Sequence, residues 1–428
     1  MDQQVTPFKR LFVGLILSGV GLWTAILTPI LVLLTIKLQS ISPQHLTQDF
    51  GTITGIGALF ALVFNPLGGW LSDRTRLAFG RRRTWLLIGA IGLAASMLGI
   101  GLARSVLAVG VLWCLCQALF NISYAATTAL VADQVPEEKR STISGSFGMS
   151  IYAGELIGLQ LVNMLSHGTA IMQWGSMAIL AVISAVIGVV LIKEGKFTGV
   201  VQKAKGFSVW NIIPNPKKHA SFAWAWLARF LVMIAATATT YNSVFLTQKF
   251  GYSTAELPEK VLLLTLISAG GTIVFSIIGG YLSDKVGKQK PFVIISGTVM
   301  SLGLIVMAFA HSFGVVELAN AIMGIGTGTY MAVDLALVTR VLPNPEDTAK
   351  DLGVINIANA LPQSLTPFFA PFLIAIGGYP FLYILLGVIG ILGGLAVLPI
   401  PEIGSGKTPV STFGDNGGNK AKIQNSGC

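Results

Sequence analysis

One carboxylate, Glu155, stands alone among uncharged residues in the stretch Ile143 to Leu165. If that stretch is a membrane-crossing helix, Glu155 lies about 18 Å along it at 1.5 Å per residue. That is close to the middle of a hydrocarbon layer about 30 Å thick. A carboxyl group so placed can take up and release a proton in a transport cycle. Tyr152 lies one turn earlier on the same face. The alternative is a structural carboxyl bonded to a neighbouring helix. Asp334 and Arg229 also fall inside apolar runs, about one and two turns from the same membrane face. A pair between them that breaks in another state is a gate or coupling device; a permanent pair only holds helices together.

Uncharged polar residues form two stripes. Gln117, Asn121 and Tyr124 recur at i, i+4 and i+7, and Asn356, Asn359 and Gln363 at i, i+3 and i+7. Amides with an aromatic neighbour suit a hydroxyl-rich solute, which offers many hydrogen bonds and an apolar ring face. The same amides also join transmembrane helices to one another. Trp23, Thr24, Thr28, Tyr241 and Asn242 are weaker candidates. Trp210, Trp224 and Trp226 read as interfacial anchors.

The elements that position these residues follow from composition. Of 428 residues, 53% are hydrophobic and 11% charged, against roughly 25% charged in an average soluble domain. The mean hydropathy is +0.74. At roughly 20 residues per crossing plus short loops, the length allows about a dozen helices. They read as Leu11–Ile36, Phe50–Leu71, Trp85–Leu102, Val106–Ala132, Ile143–Leu165 and Ile171–Ile192. The second set reads as Phe222–Leu246, Val261–Leu282, Phe292–Ala310, Val315–Val338, Leu352–Ile376 and Tyr379–Leu398. The domains expected are a six-helix bundle over 1–192, a polar linker over 193–219, a second bundle over 220–400 and a disordered tail over 401–428. The apolar run after the basic head Met1 to Arg10 is too long for a signal h-region and reads as an uncleaved first helix.

Charge placement sets the topology. Twelve crossings put 23 of the 28 Lys and Arg on the side of the termini and 4 on the other, with Arg229 inside a span. By the positive-inside rule both termini are expected in the cytoplasm, in a cell membrane. The net charge of +10 is therefore a topology signal, and no nucleic-acid partner is expected. Cys114 and Cys116 point to different faces of a helix, so neither disulfide nor metal site is expected. No Walker loop, zinc spacing or nucleophile elbow is present, so neither enzyme nor ATP-driven pump is expected, and no cofactor.

The chain repeats itself at half-length. Gly68-Gly69-Trp70-Leu71-Ser72-Asp73-Arg74 returns as Gly279-Gly280-Tyr281-Leu282-Ser283-Asp284-Lys285, an offset of 284 − 73 = 211. Ala129 to Pro136 is echoed by Ala336 to Pro343, an offset of 207. Six helices per half make these parallel repeats, related by an axis along the membrane normal. The loop glycines Gly69 and Gly280 permit close backbone approach, and Asp73 and Asp284 are placed to cap helix ends or pair with basic residues.

These loops resemble the cytoplasmic motif of the major facilitator superfamily. The copy from Gly280 through Asp284, Lys285 and Gly287 to Lys290 is near the family pattern. The first copy is longer, running from Gly69, Asp73 and Arg74 to Gly80, Arg81, Arg82 and Arg83, and looks like that of the glycoside/sucrose-type sugar:proton symporters. The stretches Ala332–Leu337 and Asn359–Gln363 are similar to bacterial members of that group. The resemblance implies an all-α membrane fold of two pseudo-symmetric six-helix bundles, rocking about a central site. It also implies that the loops latch the bundles and bind no substrate. One departure stands out: Arg340 occupies the place of Asp133, where the resemblance leads one to expect an acid. The reading is a proton-coupled uptake carrier, with Na⁺ as the alternative ion, for a small polar solute such as a sugar, embedded in the bilayer and expected as a monomer. Rival readings are an exporter of drugs or metabolites, and a non-transporting receptor or pigment-assembly factor on the same scaffold.

Overall fold

The computed structural model describes residues 6–195, 219–342 and 348–401. The interior of the expected linker and almost all of the expected tail lie outside these residues. The helices are α1 Phe8–Ile41, α2 Leu46–Arg74, α3 Arg81–Leu102, α4 Val106–Gln134, α5 Glu137–Met164 and α6 Ala170–Leu191. After the linker come α7 Ala220–Phe250, α8 Leu257–Val286, α9 Lys290–Ala308, α10 Phe313–Arg340, and then α11 (348–376) and α12 (379–395). Among the described residues, ten helical stretches are long and apolar enough to cross a membrane. One of them, Val354–Leu395, is α11 and α12 joined at Gly377 and Gly378. Gly378 adopts φ +69°, a conformation that costs a side-chain-bearing residue but not glycine. The stretch α5 is not among the ten, because Glu155 and its hydroxyl, amide and glycine residues dilute its apolar content.

Several ends differ from the sequence expectation. The start of α5 is at Glu137, six residues before Ile143, behind Pro136, and α1 continues to Ile41 rather than Ile36. Such extensions project past the apolar stretch, where hydropathy gives no signal but backbone hydrogen bonding still rewards helix.

Packing follows the repeat. Within the first half, α4 packs on α2 and α3, α6 on α1 and α3, and α5 on α1. Within the second, α10 packs on α8 and α9, α12 with α11 on α7, and α9 on the α11–α12 stretch. Between halves, α2 meets α11 and α5 meets α8, which are the same contact related by exchange of halves. Close helix approach uses glycine: a Cβ on Gly154 of α5 would lie 2.7 Å from the Val20 carbonyl of α1, and one on Gly328 of α10 would strike the Thr272 carbonyl of α8. Small residues are what lipid-embedded helices need in order to gain dispersion contacts.

We term the side bearing the start of α1 and the end of α12 the terminal face, and the other the far face. At the far face the halves are joined by Thr35 to Ser243, 2.7 Å, and by Thr47 to Gln248, 2.8 Å. Phe50 of α2 lies edge-on to Tyr241 of α7 at 5.4 Å. Pro371 carries no N–H, so the Pro367 carbonyl one turn before it lacks its helical donor; the Tyr241 hydroxyl supplies one at 2.8 Å. Gly51 of α2 fits against this spot, where a Cβ would lie 2.5 Å from the Pro367 carbonyl oxygen and 2.5 Å from the Pro371 ring. Gly51→Val is therefore expected to part α2 from α11. In a cysteine-free background carrying Asn242→Cys, a thiol reagent confined to the far face should label the Gly51→Val protein at least several-fold faster than its parent.

Candidate functional site

Two helices lose regular α geometry at matching places. In α1, Pro29–Leu33 forms a π-turn; in α7, Thr237–Tyr241 forms a 3-10 turn. The offset is 237 − 29 = 208, in line with the loop repeats. Helix interruptions at equivalent points of two halves mark binding sites in transporters, and here both turns border one cavity of about 170 Å³, through Leu31 and Thr239. At roughly 30 Å³ per water, that volume holds about five or six water molecules.

The cavity lies at the α5–α8 seam between the halves. Facing it are Tyr152 and Glu155 of α5, Thr239 and Asn242 of α7, Thr265, Ser268 and Thr272 of α8, and Asn320 and Thr327 of α10. Asn320 is 1% exposed and donates to the Val316 carbonyl at 2.9 Å; Asn242 donates to its Oδ1 at 3.0 Å. Among the described residues the Glu155 carboxylate has neither an ion-pair nor a hydrogen-bond partner. It lies 18 residues, about 27 Å, from the start of α5, of which the first six residues precede the apolar stretch that begins at Ile143. The walls thus offer hydroxyls, amides and one carboxylate, and no cation.

A second polar group is built inside the second half. Arg229 of α7 pairs with Asp334 of α10 at 3.2 Å and donates through Nε to Oδ1 of Asn359 on α11 at 2.7 Å. Tyr330, one turn before Asp334, donates to its Oδ1 at 2.8 Å. Each charge is thus paired and further hydrogen-bonded, the condition for holding charge away from water.

The sequence candidates divide accordingly. Tyr152 and Glu155 share the cavity, and Asn242 joins them. Gln117, Asn121, Tyr124, Asn356, Asn359 and Gln363 do not line it. Asn121 is instead 7% exposed, accepting from Asn65 of α2 at 3.2 Å and donating to the Gln117 carbonyl at 2.8 Å. Gln117 is buried, packed toward Gly57 of α2. Tyr124 stacks with Phe147 at 5.9 Å and meets Trp23 edge-on at 5.1 Å. Asn356 and Gln363 are exposed on α11. Trp226, read as an interfacial anchor, donates its indole N–H to the Val354 carbonyl of α11 at 2.9 Å. Sequence reasoning passed over Asn320 and the α8 hydroxyls. The signal was the i, i+3, i+7 spacing of Thr265, Ser268 and Thr272, and Pro29 inside α1.

At the terminal face the first half is laced together. Arg82, 5% exposed, pairs with Asp73 at 2.6 Å and Asp133 at 2.8 Å and donates to the Ser72 hydroxyl; Arg81 shares Asp133 at 2.8 Å. Glu194, just past α6, accepts from the first amides of α3, Arg82 at 2.9 Å and Arg83 at 3.0 Å, as a carboxylate at a helix N-terminus should. Burial holds the Glu194 carboxyl above its ordinary value, although those two amides and the nearby Arg81 and Arg82 pull it down. Gly80 permits this cap: its φ is +109° and a Cβ there would strike Glu194. In the second half Asp284 and Lys285 are exposed, Gly287 ends α8 at φ +70°, and Arg340 donates to Gln289. The close approach expected of Gly69 and Gly280 is made by their neighbours. A Cβ on Gly68 would lie 2.6 Å from Ile122 Cα and one on Gly279 3.1 Å from Thr329 Cα, while the Gly69 side is open. One residue turns a helix face by about 100°, enough to move the contact.

A sequence profile of the Major Facilitator Superfamily matches residues 11–271 and 225–414. The chain is 24% identical over 311 residues to the multi-drug resistance efflux pump PmrA of Streptococcus pneumoniae, covering 71% of this chain and 74% of that one. It is 24% identical over 409 residues to the ectoine/proline transporter ProP of Corynebacterium glutamicum, covering 86% and 79%. Its fold is similar to a D-xylose-proton symporter (TM-score 0.70, 16% identity, 91% and 98% covered) and to the nucleoside transporter NupG (TM-score 0.71, 14% identity, 92% and 100% covered).

Asp334→Asn removes the charge that balances a mostly buried guanidinium, a change worth about 3–5 kcal/mol in comparable pairs. Thermal unfolding in detergent should show that loss, and Arg229→Met/Asp334→Met, which leaves no lone charge, should recover most of it.

Proposed function

Because this chain belongs to the Major Facilitator Superfamily, a family of membrane transporters, we propose that it is a proton-coupled uptake carrier for a small hydroxyl-rich solute such as a sugar or glycoside. The observation that carries this reading is Glu155: a carboxylate without a cation, facing a cavity otherwise walled by uncharged donors and acceptors. Protonation neutralises it, so loading a proton and loading a neutral solute become compatible in a site that disfavours net charge. Hydroxyls of Thr239, Thr265 and Ser268 and the amides of Asn242 and Asn320 supply the hydrogen bonds that a polyol needs on several sides. A cavity of about 170 Å³ is smaller than the roughly 300 Å³ at which pockets for larger ligands begin, which favours one small ring over a bulky drug.

The bundles over 1–192 and 220–400 act as the two moving bodies, with Arg229 and Asp334 as an internal tie that is made in this state. With the termini cytoplasmic, as the basic loops direct, the far-face seal is the external gate and the state is inward-facing. The latch residues Asp73, Arg81 and Arg82 hold their own half together here. The efflux reading draws on the likeness to PmrA; a cavity with one acidic group also admits a small cation leaving the cell.

The test is transport by the purified protein in sealed vesicles. With an imposed proton gradient, a labelled small sugar should accumulate, and Glu155→Gln should abolish accumulation while keeping exchange of solute across the membrane. Accumulation unchanged in Glu155→Gln would remove the proton from that residue. Absence of any pH change across a panel of sugars would sink the sugar reading.

A further inference from the structure

The transport reading uses the cavity and the ion pair, and the Arg82 network accounts for two arginines of the α2–α3 connection. Three more, Arg74, Arg76 and Arg83, have no carboxylate within ion-pair distance among the described residues. Glu194, the acid nearest Arg83, is engaged by backbone amides. The Arg74 guanidinium lies 4.0 Å over the Trp70 ring and that of Arg83 4.5 Å over Phe79. Arg83 donates through one terminal nitrogen to the Phe79 carbonyl at 3.2 Å, and its Nε is buried with no acceptor. Between these charges Trp70, Leu77 and Phe79 expose 47%, 54% and 42% of their surfaces. The connection is held in shape by Trp85, whose indole donates to Thr75 at 2.7 Å.

Position decides what meets this surface. It joins two membrane-crossing helices directly, so it sits at the depth of lipid headgroups. Arginines there meet phosphate, and the exposed rings and leucine meet the upper acyl chain. A guanidinium presents forked donors that match a phosphodiester, and stacking on a ring fixes its plane. The matching connection of the second half carries Lys285, Lys288 and Lys290 instead, with Lys290 turned to the Leu398 carbonyl at 2.9 Å. We propose that Arg74, Arg76 and Arg83, with Trp70 and Phe79, form a binding site for the headgroup of an anionic phospholipid, on the first half alone.

The test uses the full-length protein in bilayer nanodiscs of phosphatidylcholine with a minor fraction of phosphatidylglycerol. Native mass spectrometry after release counts retained lipid. Arg74→Gln/Arg76→Gln/Arg83→Gln should retain phosphatidylglycerol at least about tenfold less, while Lys9→Gln/Arg10→Gln, at exposed positions on the same face, should retain it as the parent does. Equal retention by all three proteins, or equal losses in both variants, overturns the site in favour of no binding or diffuse attraction. Displacement of the lipid by millimolar inorganic phosphate also overturns it, since the site would then serve a free anion. A second readout needs no arginine variant. Brominated phosphatidylglycerol should quench tryptophan fluorescence more than brominated phosphatidylcholine, and Trp70→Phe should erase the difference. A difference that persists in Trp70→Phe speaks against contact at this loop.

Discussion

Thr35 and Ser243 hold the far face shut with one hydrogen bond, and they are 208 residues apart. That spacing is the offset of the helix interruptions just before them, so the bond joins equivalent residues of the two halves. A contact between equivalent residues lies on the axis that relates the halves. Both side chains are fully buried. From this one point the rest follows: α1 and α7 touch at the axis, their irregular turns lie one step inward, and the cavity opens where those turns let the backbones part. Lipid makes the arrangement strict, because a hydroxyl without a partner there is costly.

The polar groups of the molecule are distributed unevenly between the halves. The first half concentrates charge at its end, where Arg82 is gripped by Asp73 and Asp133 and Glu194 caps α3. The second concentrates charge within the bundle, at Arg229 and Asp334. The substitution of Arg340 at the place of Asp133 becomes intelligible on this footing. The acceptor at the facing position is Gln289, so here the donor sits on α10 and the acceptor on the connection before α9, the reverse of the first half. The sequence repeat is thus conserved in backbone and relaxed in chemistry.

Much of the fold was legible because lipid imposes long apolar runs and loops of one sign. Glu155 and Tyr152 were legible as a pair because i, i+3 spacing on one helix needs no knowledge of any other. Arg229 and Asp334 were legible because two isolated opposite charges at similar depth have few alternatives. What was not legible is which face of each helix looks inward. Asn121 and Tyr124 keep perfect helical spacing, yet they face Asn65 and the Trp23–Phe147 rings rather than the cavity. Asn320 faces the cavity on its own helix, and the α8 hydroxyls Thr265, Ser268 and Thr272 do so at i, i+3 and i+7, a spacing as regular as that of the amide stripes but carried by side chains that also occur on lipid-facing helices. The bond from the Trp226 indole to the Val354 carbonyl of α11 was equally out of reach, because it depends on which helix packs beside α7.

The bonds that close the far face are uncharged: a hydroxyl to a hydroxyl, and a hydroxyl to an amide. Neutral bonds of this kind contribute about 1 kcal/mol each, a few times thermal energy in total. They add to the apolar packing of Phe50 on Tyr241 and of Gly51 on Pro367 and Pro371, and no ion pair among the described residues has to be broken to part them. A seam of that kind comes apart without leaving a bare charge behind, so its two sides meet water as ordinary neutral surface.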